Sequence, residues 1–169
     1  RLAGGRVFRL DSHLDRLRHS ARAIGLELPG GVAGIRAIVL ETARAWGRPD
    51  GYVRLLVTRG DGAMGVDPTN CLRPRVICIA TEIELYPAEK LASGVEMVTV
   101  SVRRPAPDML DPRVKSLNYL NSVLAKREAR LRGADEALIL NSAGMVAEAA
   151  VANVFAFRRG KLLTPPPTD

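Results

Sequence analysis

Aromatic residues make up only 4% of this 169-residue chain, too few to build the stacking platform on which single-stranded nucleic acid lies. Cysteine is scarce as well. Cys71 and Cys78 stand without a histidine or further cysteine at ligand spacing, so no metal site is expected and both read as reduced thiols. No apolar run approaches the roughly 20 residues that cross a bilayer; the stretch 32–46 is broken by Arg36, Glu41 and Arg44. No signal-peptide pattern opens the chain, and neither an internal repeat nor a low-complexity segment occurs. These absences point to a cytoplasmic globular protein without a membrane partner.

Against those absences stand 47% hydrophobic residues and a net charge of +7. The first supports a core of domain size. The second permits an acidic partner, and a non-catalytic basic binding module is the reading it would favour. Basic residues, however, are spread from Arg1 to Lys161 and alternate with acids, so no nucleic-acid partner is expected.

Hydrophobic periodicity predicts a mixed α/β chain. Gly4-Gly5 reads as the turn of a hairpin whose first strand is missing. Asp11 and Ser12 offer N-caps to a helix over 13–24 with Leu14, Leu17, Ala21 and Ile24 on one face. A second helix is predicted over 32–46 and strands over 52–59 and 75–81, joined by a loop rich in glycine and proline. Residues 86–94 read as a linker, dividing a domain over 1–85 from a second over 95–169. The second holds a predicted strand over 95–102, a loop with Pro105 and Pro107, and a helix over 117–132. Leu117, Leu120, Leu124 and Leu131 mark that helix's expected buried side. Three strands follow, over 136–140, 145–149 and 154–157, and residues 164–169 read as the start of a loop.

Lys115 stands out because it precedes an apolar helix instead of lying on a solvated face. Its surroundings carry more than its position does. The run Val114-Lys115-Ser116-Leu117-Asn118-Tyr119-Leu120-Asn121, then Ala134-Asp135-Glu136-Ala137-Leu138, then Val146-Ala147-Glu148 and Asn153-Val154-Phe155 closely resembles the class IV aminotransferases of the branched-chain type. Phe8-Arg9-Leu10 with His13-Leu14-Asp15-Arg16-Leu17 is similar to that family's first helix, Tyr52-Val53-Arg54-Leu55 to its central strand, and Leu162-Leu163-Thr164-Pro165 to the segment before a phosphate loop. The resemblance spans the chain, with the motifs in family order.

The resemblance implies a two-domain α/β fold, an N-terminal α/β sandwich and part of a C-terminal pseudobarrel, in a homodimer. It implies pyridoxal 5'-phosphate as cofactor, bound covalently by Lys115, which also moves the proton during reaction. Such chemistry needs an amine that serves as nucleophile and then as base. By the same resemblance Glu148 faces the pyridine nitrogen, Arg16 contacts the phosphate, Tyr119 lies beside cofactor and substrate, and Asn153 holds nearby backbone. A guanidinium suits a phosphate dianion because it donates two parallel hydrogen bonds. Tyr52 and Arg54, two apart on a strand, share one face and correspond to substrate-pocket positions.

The substrates implied are an amino acid and a 2-oxo acid such as 2-oxoglutarate. Gly62-Ala63-Met64-Gly65-Val66 resembles the branched-chain members, and Met64 and Val66 stand where D-amino-acid transaminases carry a carboxylate-trapping arginine and histidine. Within the family, D-amino-acid or amine transaminases and aminodeoxychorismate lyases are the alternatives. Glu148 is followed by Ala149-Ala150, where branched-chain enzymes carry glycine. Family members continue at both ends, so the chain reads as truncated.

Overall fold

The computed structural model describes residues 1–82 and 86–166; of the loop expected over 164–169, the last three residues lie outside the described ones. Two compact units are present, Arg1–Leu85 and Tyr86–Asp169.

The first unit opens with β1 (Leu2–Ala3) and β2 (Arg6–Val7), an antiparallel hairpin turned at Gly4-Gly5. Both turn glycines have positive φ, as a primed turn requires. The first strand expected to be missing is therefore there, as two residues. Helix α1 (Leu10–Ala23) begins three residues earlier than expected: Arg9 is its N-cap, without a side-chain capping bond, and Asp11 and Ser12 lie inside the first turn. The earlier start buries Leu10 beside Leu14. Arg59 donates to the carbonyls of Ile24 and Gly25, satisfying oxygens that the end of α1 leaves unpaired.

Helix α2 (Gly31–Trp46) stops at Gly47, whose φ of 69° suits glycine. Strands β3 (Tyr52–Thr58) and β4 (Arg75–Thr81) pair antiparallel without a register break. Alternation along β3 turns Val53, Leu55 and Val57 towards the cluster formed by Leu14, Ile35 and Val39. Gly60, in the loop after β3, cannot carry a side chain: a Cβ there would lie 1.9 Å from the carbonyl oxygen of Arg73, and its φ is +79°.

In the second unit the stretch read as a linker contains a helix, α3 (Ala88–Ser93). Strand β5 (Met97–Arg103) runs parallel to β6 (Glu136–Leu140), with α4 (Leu120–Leu131) as the crossover between them. Strand β7 (Val146–Ala149) adds antiparallel to β6, giving the order β5-β6-β7. A hairpin of β8 (Ala156–Arg158) and β9 (Lys161–Leu163) follows, turned at Arg159-Gly160.

The face that α4 buries is not the leucine stripe. Leu117, Leu120, Leu124 and Leu131 are 56%, 65%, 43% and 74% exposed, while Ala125 and Ala129 are fully buried. Those two alanines pack with Val100, Ala137 and Ile139. One turn apart on the helix, they let it lie close upon the sheet, where leucines would not fit.

Beneath α4, Glu136 is buried. It accepts from the Ala137 N–H at 2.9 Å, from Lys126 Nζ at 2.7 Å and from Tyr86 Oη at 2.8 Å. Burial pushes its carboxyl up, but the bonds from Lys126, Ala137 and Tyr86 together outweigh this and hold it below the ordinary carboxylate value. Tyr86, by burial and by its bond to Glu136, is pushed up to about 12. The signs are opposite: stability from Glu136 is complete above the ordinary carboxylate value and lost as pH falls through the lowered one, while that from Tyr86 is lost as pH rises from 10 towards 12. Glu136→Gln is accordingly expected to flatten the acid limb of a urea-unfolding profile, below about pH 5. An acid limb as steep as that of the unsubstituted chain would show that Glu136 is not its source.

Candidate active site

The turns of residues 111–119 place Lys115, and they displace the start of α4 three residues from its expected position. Ser116 N–H donates to the Val114 carbonyl at 3.1 Å, Asn118 N–H to Ser116 Oγ at 3.2 Å and Tyr119 N–H to the Leu117 carbonyl at 3.1 Å. Tyr119 is the N-cap residue of α4. The exposed ammonium of Lys115 donates to Tyr119 Oη at 3.1 Å, so the phenol oxygen is the point at which the two side chains meet.

Glu148 is carried by β7 opposite Ile139 of β6. Its carboxylate forms an ion pair with Arg104, and both side chains are mostly covered, at 24% and 20% exposure. Burial pushes the Glu148 carboxyl up; the positive charges of Arg104 and Lys115 pull the other way. The charge of Lys115 thus reaches the Glu148 carboxyl.

Arg104 went unnoticed in the sequence, where it is one arginine of an Arg103-Arg104-Pro105 loop. Its backbone N–H donates to the Leu140 carbonyl at 2.9 Å, extending the β5-β6 pairing by one residue. Its Nε is buried and has no hydrogen-bond partner among the described residues. Only the strand order could reveal its role, because Glu148 lies across β6 from it. The one available signal was an arginine directly after a strand and before a proline.

Asn153, expected to hold backbone, is exposed and its side chain makes no hydrogen bond among the described residues. The loop it occupies is closed instead by the Ala149 N–H, which donates to the Ala152 carbonyl at 2.9 Å, and by Thr164 Oγ1, which donates to the Val154 carbonyl at 2.8 Å.

Three of the expected residues belong to the first unit. Arg16 lies exposed on α1, its Nη2 3.2 Å from His13 Nδ1. Tyr52 and Arg54 share one face of β3, as their spacing requires, and both are exposed on it. Met64 and Val66 project fully into solvent from the loop between β3 and β4. Cys71 and Cys78 are free thiols. Among the described residues no histidine, cysteine or carboxylate cluster could hold a metal ion, and no helix is long and apolar enough to cross a membrane.

The motifs that singled out Lys115, Tyr119 and Glu148 resemble one family, and that family's model, amino-transferase class IV, matches residues 1–169. The chain belongs to the class IV amino-transferases. A provisionally named branched-chain-amino-acid aminotransferase of Methanocaldococcus jannaschii is 45% identical to this class IV chain over 162 residues, covering 96% of it and 55% of the relative. The chloroplastic D-amino-acid transaminase of Arabidopsis thaliana is 33% identical over 171 residues, covering 99% of this chain and 44% of the relative. Among solved structures, a T.th. branched-chain amino acid aminotransferase with pyridoxamine 5'-phosphate superposes with a TM-score of 0.87 at 33% identity, over 95% of this chain and 53% of the other. The chain spans about half the length of the relatives it matches.

Proposed function

We propose that this chain carries the cofactor-binding lysine of an aminotransferase using pyridoxal 5'-phosphate, which moves an amino group from a branched-chain L-amino acid to a 2-oxo acid such as 2-oxoglutarate. The observation that carries this reading is the Lys115, Tyr119 and Glu148 constellation. The donor set fits the group: a primary amine for the aldehyde, a phenol beside it, and a carboxylate held by Arg104 for the ring nitrogen. When bound, the cofactor supplies an electron sink for the substrate's Cα electrons.

The residues divide the remaining work. Lys115 Nζ would bind the aldehyde carbon and, once released, would take the proton from the substrate Cα and deliver it to the carbon it had held, the net shift that amino transfer requires. Tyr119 Oη accepts from that amine and fixes its direction. Glu148 places a negative charge against the ring nitrogen, and Arg104 keeps that charge in a half-buried position where it would otherwise be neutralised. Arg16 holds the phosphate, and Asn153 lies beside the cofactor. Tyr52, Arg54 and Tyr119 are assigned to substrate on the resemblance of their motifs. We place the enzyme in the cytoplasm as a homodimer.

The L-specific reading is supported by Met64 and Val66, which offer no charge to a substrate carboxylate. Glutamate formation from 2-oxoglutarate with L-leucine or L-valine, in the protein supplied with pyridoxal 5'-phosphate, tests it. The expected result is turnover with these donors well above that with D-alanine. Turnover with D-alanine alone would reassign the substrate class, and pyruvate release from aminodeoxychorismate without amino transfer would reassign the reaction.

A further inference from the structure

The first unit contains an open groove of about 660 Å³ between the β1-β2 hairpin, the start of α1 and the C-terminal half of α2. Its size falls in the range of small-molecule sites, roughly 300–1,000 Å³. Five arginines line it, Arg6, Arg9, Arg36, Arg44 and Arg48, against a single carboxylate, that of Asp11. None of them has a part in the proposed amino transfer.

Two of the five are already matched: Arg36 pairs with Asp11, and Arg48 pairs with Glu82 while lying 5.1 Å from the centre of the Trp46 ring. Arg6, Arg9 and Arg44 have no acidic side chain within ion-pair distance among the described residues. Leu10, Leu40 and Ala43 give the groove an apolar side. A strongly cationic rim over an apolar wall suits a ligand with an anionic head and an apolar body.

Arg9 adds an independent observation. It is held at φ 49° and ψ 42°, the left-handed region that residues with a Cβ rarely enter. Glycine would occupy that position with less strain, and four residues upstream the chain does use glycine at positive φ. Strained backbone of this kind gathers where a side chain has work to do. Here the strain sets a guanidinium on the wall of the groove.

We propose that this groove is a binding site for an organic phosphate of nucleotide size, its phosphates held by Arg6, Arg9 and Arg44 and its organic body laid against Leu10, Leu40 and Ala43. Guanidinium forks match phosphate oxygens in pairs, and phosphate carries enough charge to answer three unpaired cations.

Trp46 is the chain's only tryptophan, and its contact with Arg48 makes it a reporter on the groove. The test is titration of the protein, loaded beforehand with pyridoxal 5'-phosphate, with ATP, pyrophosphate and inorganic phosphate while Trp46 fluorescence is followed. ATP is expected to give a saturable change at lower concentration than pyrophosphate, and inorganic phosphate the weakest. Arg9→Gly, which also relieves the backbone, is expected to weaken ATP binding by at least about tenfold with no loss of thermal stability, and Arg6→Ala with Arg44→Ala to abolish it. Lys115→Ala and Arg16→Ala are expected to leave it intact, which separates this site from the proposed cofactor site. The proposal is overturned by the absence of saturation at millimolar ATP, by binding that survives both groove variants, or by binding lost in Arg16→Ala but kept in Arg9→Gly. Single-stranded RNA binding that ATP does not compete would likewise overturn it in favour of a polymer surface.

Discussion

Lys115→Ala is expected to lower amino transfer by at least about 10²–10⁴-fold, the share that a positioned proton-transferring side chain contributes, before any loss of covalent binding is added. The same substitution is expected to change folding stability by less than about 0.5 kcal/mol, as for other exposed positions, because the side chain lies exposed in a turn. Lys115→Arg keeps a cation at that place and removes the primary amine. It is expected to fail as completely as alanine, since charge alone neither bonds the aldehyde nor gives up and recovers a proton at neutral pH. Steady-state rates for the two variants, with urea unfolding alongside, decide the matter. A variant keeping a tenth of the activity would remove Lys115 from the chemistry.

The second large effect is expected at Arg104. Arg104→Met leaves the Glu148 carboxylate half-buried without its partner, and removing one member of a buried pair costs about 3–5 kcal/mol. The two side chains are a fifth to a quarter exposed, so a loss at or below the low end of that range, about 2–3 kcal/mol, is expected. Glu148→Gln added to it is expected to restore most of that loss, because the uncompensated charge is then gone; the double variant stays inactive.

The pH dependence gives a further sign. Burial already raises the Glu148 carboxyl, and without Arg104 it rises more. A carboxyl raised in the folded state favours folding when protonated, so the Arg104→Met deficit should shrink as pH falls through the raised value and be complete at neutral pH. A deficit independent of pH, or strictly additive energies in the two-residue cycle, would mean that the pair is only a surface contact.

These two residues differ in how far the sequence could reveal them. Lys115, Tyr119 and Glu148 were singled out because ordered motifs surround them, and the same motifs carried the family. Arg104 has no motif and acquires its role only when β5 and β7 are set on either side of β6. Strong periodicity placed the strands Arg75–Thr81 and Glu136–Leu140 without error and put the helix ending at Trp46 within one residue of its observed start. It failed at α4 for a packing reason. A leucine every three or four residues looks like a core face, but the sheet admits the helix only along Ala125 and Ala129. The short β9, Lys161–Leu163, has three exposed residues, so alternation gave no signal for it. Arg54 is exposed because only one face of the β3-β4 sheet packs against the helices.

The most direct measurement of the proposed site is borohydride reduction of the protein in the presence of pyridoxal 5'-phosphate, followed by peptide mass analysis. A phosphopyridoxyl increment confined to the peptide containing Lys115, and lost in Lys115→Ala, is the expected result. An increment scattered over surface lysines such as Lys90 and Lys161, or one that persists at full yield without Lys115, would contradict Lys115 as the residue that binds the cofactor.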